Sequence, residues 1–378
     1  MIIHNKCLVR AINIQLDIIG KSKSYDDYIY SEEELNSVTT INLINPDSID
    51  EIDKLVNLEV LNIGYSNCFD KNNYITDFSI LSKLNNLKSF TLINNVCIKS
   101  IDLSNSLEKL KLIYNPFLNK INLKNLSNLK DVMLVGNDIN SIDNFEFINS
   151  DFEQLLLDIK LYPYLSKYFN KLDKVTFVEK ISFGEIYKTD LETMNQVHNI
   201  ATNIIKNNTN DDIESSIVNL YRYIVTHLTY DYDGLEERNN YFINNKYNPF
   251  LDNELMNKFR LMNTCIHAFL NGCVICEAYV NALIYLYNLI GIKARSLRVK
   301  EKGNNTHYDH ATMCFVYNNK LYYSDPQKED DFIKLNKLFI SEEEFRNIYD
   351  ISPLDELIIK NWKEEINDTL TRSFERTK

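Results

Sequence analysis

From Val38 to Phe177, apolar residues recur at offsets 0, 3 and 5 of a repeating unit. The units read Val38–Ile41–Leu43, Leu58–Leu61–Ile63, Leu87–Phe90–Leu92, Leu107–Leu110–Leu112, Leu129–Val132–Leu134, Phe152–Leu155–Leu157 and Leu172–Val175–Phe177, and successive starts lie 20, 29, 20, 22, 23 and 20 residues apart. The last two apolar positions of each unit stand two apart, the period of a short strand with one buried face. Asn95, Asn115 and Asn137 each follow their unit's start by eight residues. At a bend, a side-chain amide there can bond backbone groups that no strand neighbour reaches. One unit cannot cover its own apolar face, so the units must stack on one another. The offset-6 positions Ile44, Gly64, Ile93, Ile113, Val135, Asp158 and Val178 are then expected to point outward. Five of those seven are β-branched and apolar, which suggests a docking face for a protein partner. The competing reading is a row partly covered by neighbouring side chains.

After Ile181 the pattern changes. Thr189 to Lys206 and Asp212 to Leu228 carry helical spacing, with Ile213, Ile217, Leu220, Ile224 and Leu228 on one face. The polar, Asn-rich stretch from Glu236 to Asn253 reads as a loop. A helix is predicted from Cys276, with Val280, Leu283, Leu286 and Tyr287 on a stripe and Gly291 as its C-terminal cap. A strand follows at Ile292–Val299, then a hairpin whose two apolar strands flank Asn318–Asn319. Ser341 with Glu344 forms a capping box for a late helix, and the C-terminus reads as helical.

Composition narrows the function classes. With 378 residues, 44% apolar and 25% charged, the chain buries a real core, and two domains are the default. The formal net charge of −12 argues against nucleic acid or an anionic membrane as the main partner. No segment approaches the ~18 apolar residues of a membrane span. Polar residues interrupt the first 21 positions, so no signal peptide of the usual kind is expected. The seven cysteines are an odd number in a chain too large to need staples. Reduced thiols and a cytoplasmic location are expected, with non-classical delivery to a host as a further possibility.

The repeat resembles the leucine-rich repeat family, specifically the short bacterial units of internalin type, over residues 31–180. The second half is similar to the transglutaminase-like cysteine enzyme superfamily over 190–345. That resemblance rests on GCVICEAYVNALIYLYNLIGIKA and HYDHATMCFVYNNKLYYSDPQ. Cys276, Glu277 and Tyr279 match the family's C-E-G-Y-A run, His310–Ala311 its H-A-W, and Asp325–Pro326 its D-P-T. Ala278, Val280, Thr312 and Gln327 depart from it, and the missing aromatic after the histidine removes a usual channel wall. The resemblances imply an α/β leucine-rich repeat solenoid followed by an α+β transglutaminase-like domain with a papain-like core. The expected divisions are a cap segment 1–37, about seven repeats over 38–182, a catalytic domain over 188–345 and a helical extension 346–378.

They also imply a Cys276–His310–Asp325 triad without cofactor or metal, acting on protein or peptide amides. The chemistry is coherent. A free thiol near pKa ~8.5 supplies little thiolate at neutral pH. A helix N-terminus and a facing imidazole both stabilise the anion, and a carboxylate orients the imidazole. The Cys276 N–H is a natural oxyanion donor, and a second donor is not identifiable. Three rivals remain at this stage. Cys273, Cys276, His307 and His310 could hold zinc. Cys273-x-x-Cys276 could be a redox dithiol. The chain could also be a non-catalytic interaction scaffold.

Overall fold

The computed structural model describes the chain apart from residues 22, 25–27, 67–73, 124–125, 140, 144–151, 166–173, 181–185, 245–253, 304–307, 328–337 and 377–378. It divides into two compact units, Met1–Val178 and Glu179–Lys378.

The first unit opens with helix α1 (Lys6–Ile18), whose start is capped by the Asn5 side chain and which buries Leu8, Val9, Ile12 and Leu16. A short helix, α2 (Glu32–Asn36), begins under a Ser31–Glu34 capping box. Strands β1 (Thr40–Ile44), β2 (Val60–Gly64), β3 (Ser89–Ile93), β5 (Lys109–Ile113), β7 (Asp131–Val135), β9 (Gln154–Asp158) and β10 (Val175–Lys180) then pair in parallel, each with the next of this series. The register puts the offset-3 residues in one transverse row: Ile41, Leu61, Phe90, Leu110, Val132, Leu155 and Val175. The offset-5 residues Leu43, Ile63, Leu92, Leu112, Leu134, Leu157 and Phe177 form the second row. Both rows are buried throughout. Three further short strands, β4 (Ser100–Ile101), β6 (Lys120–Asn122) and β8 (Ser141–Asp143), make a separate parallel ladder.

The asparagines form a buried chain between units. Asn115 Oδ1 accepts from the Asn95 N–H at 2.9 Å, and Asn137 Oδ1 accepts from the Asn115 N–H at 3.1 Å. Their amide groups donate to the carbonyls of Ile75, Leu92 and Leu112. Backbone groups past each strand's end are thereby satisfied without solvent, which buried peptide groups require.

The outward row needs correction. Ile44 is exposed and Ile93 and Ile113 are partly exposed, but Val135 and Val178 are fully buried and Asp158 nearly so. Strand alternation places these side chains opposite the two core rows; it does not determine whether that face is covered. Leu172 and Cys68 lie outside the described residues.

The second unit begins at Glu179, passes through β11 (Ile186–Asp190) and enters α4 (Leu191–Asn208) and α5 (Ile213–His227), capped by Asp190 and Asp212. The predicted loop from Glu236 is helical in its first part, because α6 spans Tyr232–Asn244; positions 245–253 lie outside the described residues. Leu235, Tyr241 and Phe242 pack on the buried cluster Met256, Phe259, Met262 and Ile275, and this packing overrides the poor helix propensity of the asparagines. A Cβ at Gly234 would sit 2.3 Å from the Asp231 carboxylate and 2.6 Å from the Met262 methyl, so a side chain there would have to displace both.

Helices α7 (Glu254–Leu261) and α8 (Cys265–Leu270) lead to β13 (Cys273–Val274), which pairs in parallel with β12 (Thr229–Tyr230). Helix α9 (Cys276–Leu289) follows and is buried nearly all round, against α5, α8 and two strands of an antiparallel sheet. That sheet has the order β16 (Lys320–Ser324), β15 (His310–Tyr317), β14 (Ala294–Glu301), β17 (Tyr349–Ile351). Gly291 ends α9 at φ +80°, and Asn318 and Asn319 make the hairpin turn, both at positive φ. The Ser341–Glu344 capping box opens the helix Glu342–Ile348, and a last helix covers Pro353–Arg376. Among the described residues no helix is long and apolar enough to cross a membrane.

Candidate active site

Three elements of the second unit converge on one spot. Cys276 is the first residue of α9; Ile275 precedes it in extended backbone and supplies no side-chain cap. The positive end of that helix's dipole gives the thiol an electropositive setting. His310 is the first residue of β15, opposite Val299 of β14. Asp325 follows the last residue of β16, and its side chain is completely buried.

His310 Nε2 lies 3.1 Å from Asp325 Oδ2, and the Cys276 thiol is the ring's other hydrogen-bonding partner. With Nε2 taken by the carboxylate, Nδ1 is the ring nitrogen left for sulfur. Burial alone would push the imidazole down, but the hydrogen bonds and charges of Asp325 and Cys276 outweigh it and raise its pKa to about 10. Burial likewise works to raise Asp325. The His310 hydrogen bond and charge, the Tyr349 hydroxyl and the Gln327 N–H together hold the carboxylate below its ordinary range.

Tyr349, on β17, was not singled out by the sequence. Its hydroxyl donates to Asp325 Oδ2 at 2.5 Å, and its ring centroid is 5.8 Å from that of His310. The Tyr221 hydroxyl on α5 donates to the Asp325 backbone carbonyl at 3.3 Å. No local signal marks either tyrosine: one comes from a strand on the far side of β14, the other from a helix about a hundred residues upstream. Glu179 was also missed. It is buried with Oε1 accepting from the Cys265 N–H at 2.8 Å. Desolvation raises its carboxyl to about 8, against its hydrogen bonds from Cys265 and Ile266 and aided by the charge of Glu277.

Cys273 sits on β13 as a second partly exposed free thiol. His307, needed for the zinc arrangement, lies outside the described residues. Among the described residues no three His, Cys, Asp or Glu side chains are grouped to hold a metal ion.

No family model matches the chain, and no curated protein matches it. Among solved structures it is similar to one described as "Crystal structure of a TGase", with 16% identity and a TM-score of 0.28. The match covers 50% of this chain and 43% of that one, so the chain spans less than half the length of that neighbour. A likeness of this size carries no argument about function.

Proposed function

We propose that the chain is a thiol-dependent acyltransferase or hydrolase of transglutaminase-like type, with Cys276 as nucleophile, His310 as acid and base, and Asp325 as the orienting carboxylate. The observation that carries this reading is the half-buried thiol at the start of α9, faced by an imidazole whose other nitrogen is tied to a fully buried carboxylate. The sulfur attacks the carbonyl carbon of a protein or peptide amide as a thiolate whose proton already rests on His310. On collapse the C–N bond breaks, His310 returns the proton to the departing amine, and an acyl-thioester remains. Water then completes hydrolysis or deamidation, or a lysine amine completes cross-linking.

In this reading residues 188–345 are the catalytic domain. Residues 38–182 are a leucine-rich repeat module that captures a protein substrate or partner, with Ile44, Ile93 and Ile113 as the apolar part of its exposed strand face.

The test is acylation by p-nitrophenyl acetate together with iodoacetamide labelling. Wild-type protein should show a stoichiometric nitrophenol burst, and near pH ~6.5 Cys276 should label ahead of the other cysteines, since only a paired thiolate is populated there. Cys276→Ala should abolish the burst and leave the melting temperature close to wild type. Cys273→Ala should keep it. A burst that survives Cys276→Ala removes the assignment.

A further inference from the structure

The carboxylate behind His310 is bound twice at one oxygen. Strand β14 lies between β15 and β17, with Val299 opposite His310 on one side and Ile351 on the other. Directly opposed residues, and residues two apart on one strand, share a sheet face, so Tyr349 falls on the face of His310. Its hydroxyl donates to Asp325 Oδ2 at 2.5 Å, and His310 Nε2 lies 3.1 Å from the same oxygen. Oδ1 takes the Gln327 N–H at a longer 3.3 Å, and the Tyr221 hydroxyl of α5 bonds the backbone carbonyl, not the carboxylate. Two donors on one anionic oxygen divide its charge, so a carboxylate that accepts a phenol O–H pulls less on its other partner. That division has a chemical use. An unshared buried carboxylate would hold the imidazolium so firmly that it made a reluctant acid, and a general acid works best when its proton is ready to leave near the working pH.

We infer that Tyr349 is a positioning residue that limits the hold of Asp325 on His310, so that the imidazolium beside the thiolate can give its proton to the departing group. This rests on the thiol reading above. In acylation, sulfur bonds to the carbonyl carbon and the tetrahedral adduct collapses. The bond from carbon to the leaving heteroatom breaks, and the His310 proton moves to that heteroatom. Asp325 keeps its charge throughout. The phenol keeps its proton, because burial and the Asp325 charge both oppose its loss. Among the described residues, the other ionisable groups facing this cluster are Cys276 on α9, Tyr221 on α5 and Glu301, which stands opposite Tyr349 on β14. The helix Glu342–Ile348 contributes the uncharged Phe345 ring, 5.0 Å from that of Tyr349.

The experiment varies the phenol in both directions. Tyr349→Phe removes the second donor and should strengthen the Asp325–His310 pair; 3-fluorotyrosine at 349, a more acidic phenol, should weaken it. Two readouts follow the pair. The first is the pH profile of Cys276 alkylation by iodoacetamide, whose acid limb marks where the thiolate forms. That limb should lie on the order of half a pH unit lower in Tyr349→Phe, and higher than wild type with 3-fluorotyrosine. The second is acylation on the plateau by two esters of one acyl group. p-Nitrophenolate leaves unaided, whereas the phenolate of phenyl acetate leaves better with a proton. The rate ratio of p-nitrophenyl acetate to phenyl acetate should widen about tenfold in Tyr349→Phe and narrow with 3-fluorotyrosine. A purely structural phenol would lower the melting temperature and leave limb and ratio at their wild-type values. That result, an unchanged ratio alone, or a limb that rises in Tyr349→Phe overturns the inference. If Tyr349→Phe does not fold, the fluorotyrosine arm decides by itself. A burst that persists in Cys276→Ala would instead sink the underlying thiol reading.

Discussion

At the scale of single residues, the candidate site depends on how Asp325 is held. A fully buried carboxylate is costly unless each oxygen is bonded. Oδ2 is shared by His310 and Tyr349, and Oδ1 takes the Gln327 N–H. Burial, followed by the nearby Asp325 charge, raises Tyr349, so its hydroxyl remains a donor. Tyr349→Phe should therefore cost about 1.5–3 kcal/mol of unfolding free energy, the range for a hydrogen bond to a charged group. Denaturant titration at neutral pH measures it. A loss below about 0.5 kcal/mol would show that Asp325 is satisfied without the phenol.

At the scale of elements, two features diverge from simple patterning. The first is the offset-6 row. Val135 on β7 has no exposure, whereas Ile44 on β1 is 80% exposed, although both occupy the same place in their units. Val135→Asp should destabilise by about 3 kcal/mol or more, because it buries an unpaired charge. Ile44→Asp should stay within about 0.5 kcal/mol. Thermal melts of the two variants decide this, and equal effects would contradict the burial difference. The second is Glu179 against the start of α8. A carboxyl whose folded pKa is raised from 4.5 to about 8 binds protons more tightly folded than unfolded. Its contribution is whole below pH ~4.5 and is lost as pH rises through about 8. Glu179→Gln should leave stability near wild type at pH ~4 and exceed it at pH ~8.5. A difference independent of pH would contradict the assignment.

At the scale of the whole molecule, the two units have different kinds of core. The first closes by adding one strand at a time, each layer buried by its successor. The second is built around one buried helix, α9, so the thiol is attached to a helix packed on nearly every side. The charge of −12 belongs to the chain as a whole. Retention on a polyanionic matrix such as heparin is expected to be absent even at low salt. Binding that weakened with added salt would reveal a basic patch hidden by the average.

The sequence by itself determined what depends on local period and local turns. The offset-3 and offset-5 rows, the helix from Cys276, its glycine stop, the Asn318–Asn319 hairpin and the Ser341 capping box are all set by neighbours within a few residues. The helix that starts at Cys276 and the hairpin after His310 were legible for the same reason, whereas the choice of Cys276, His310 and Asp325 as a triad came from the family resemblance of their flanking residues. Only the tertiary structure decided the rest. Whether Val135 is covered depends on what lies above its strand face. Whether 236–244 is helix depends on the aromatic cluster that receives Tyr241 and Phe242. Tyr349 reaches the site through a strand pairing with a distant segment. A tyrosine in a sequence carries no mark of the atom its hydroxyl will meet, because that meeting is fixed by long-range register and not by the residues beside it.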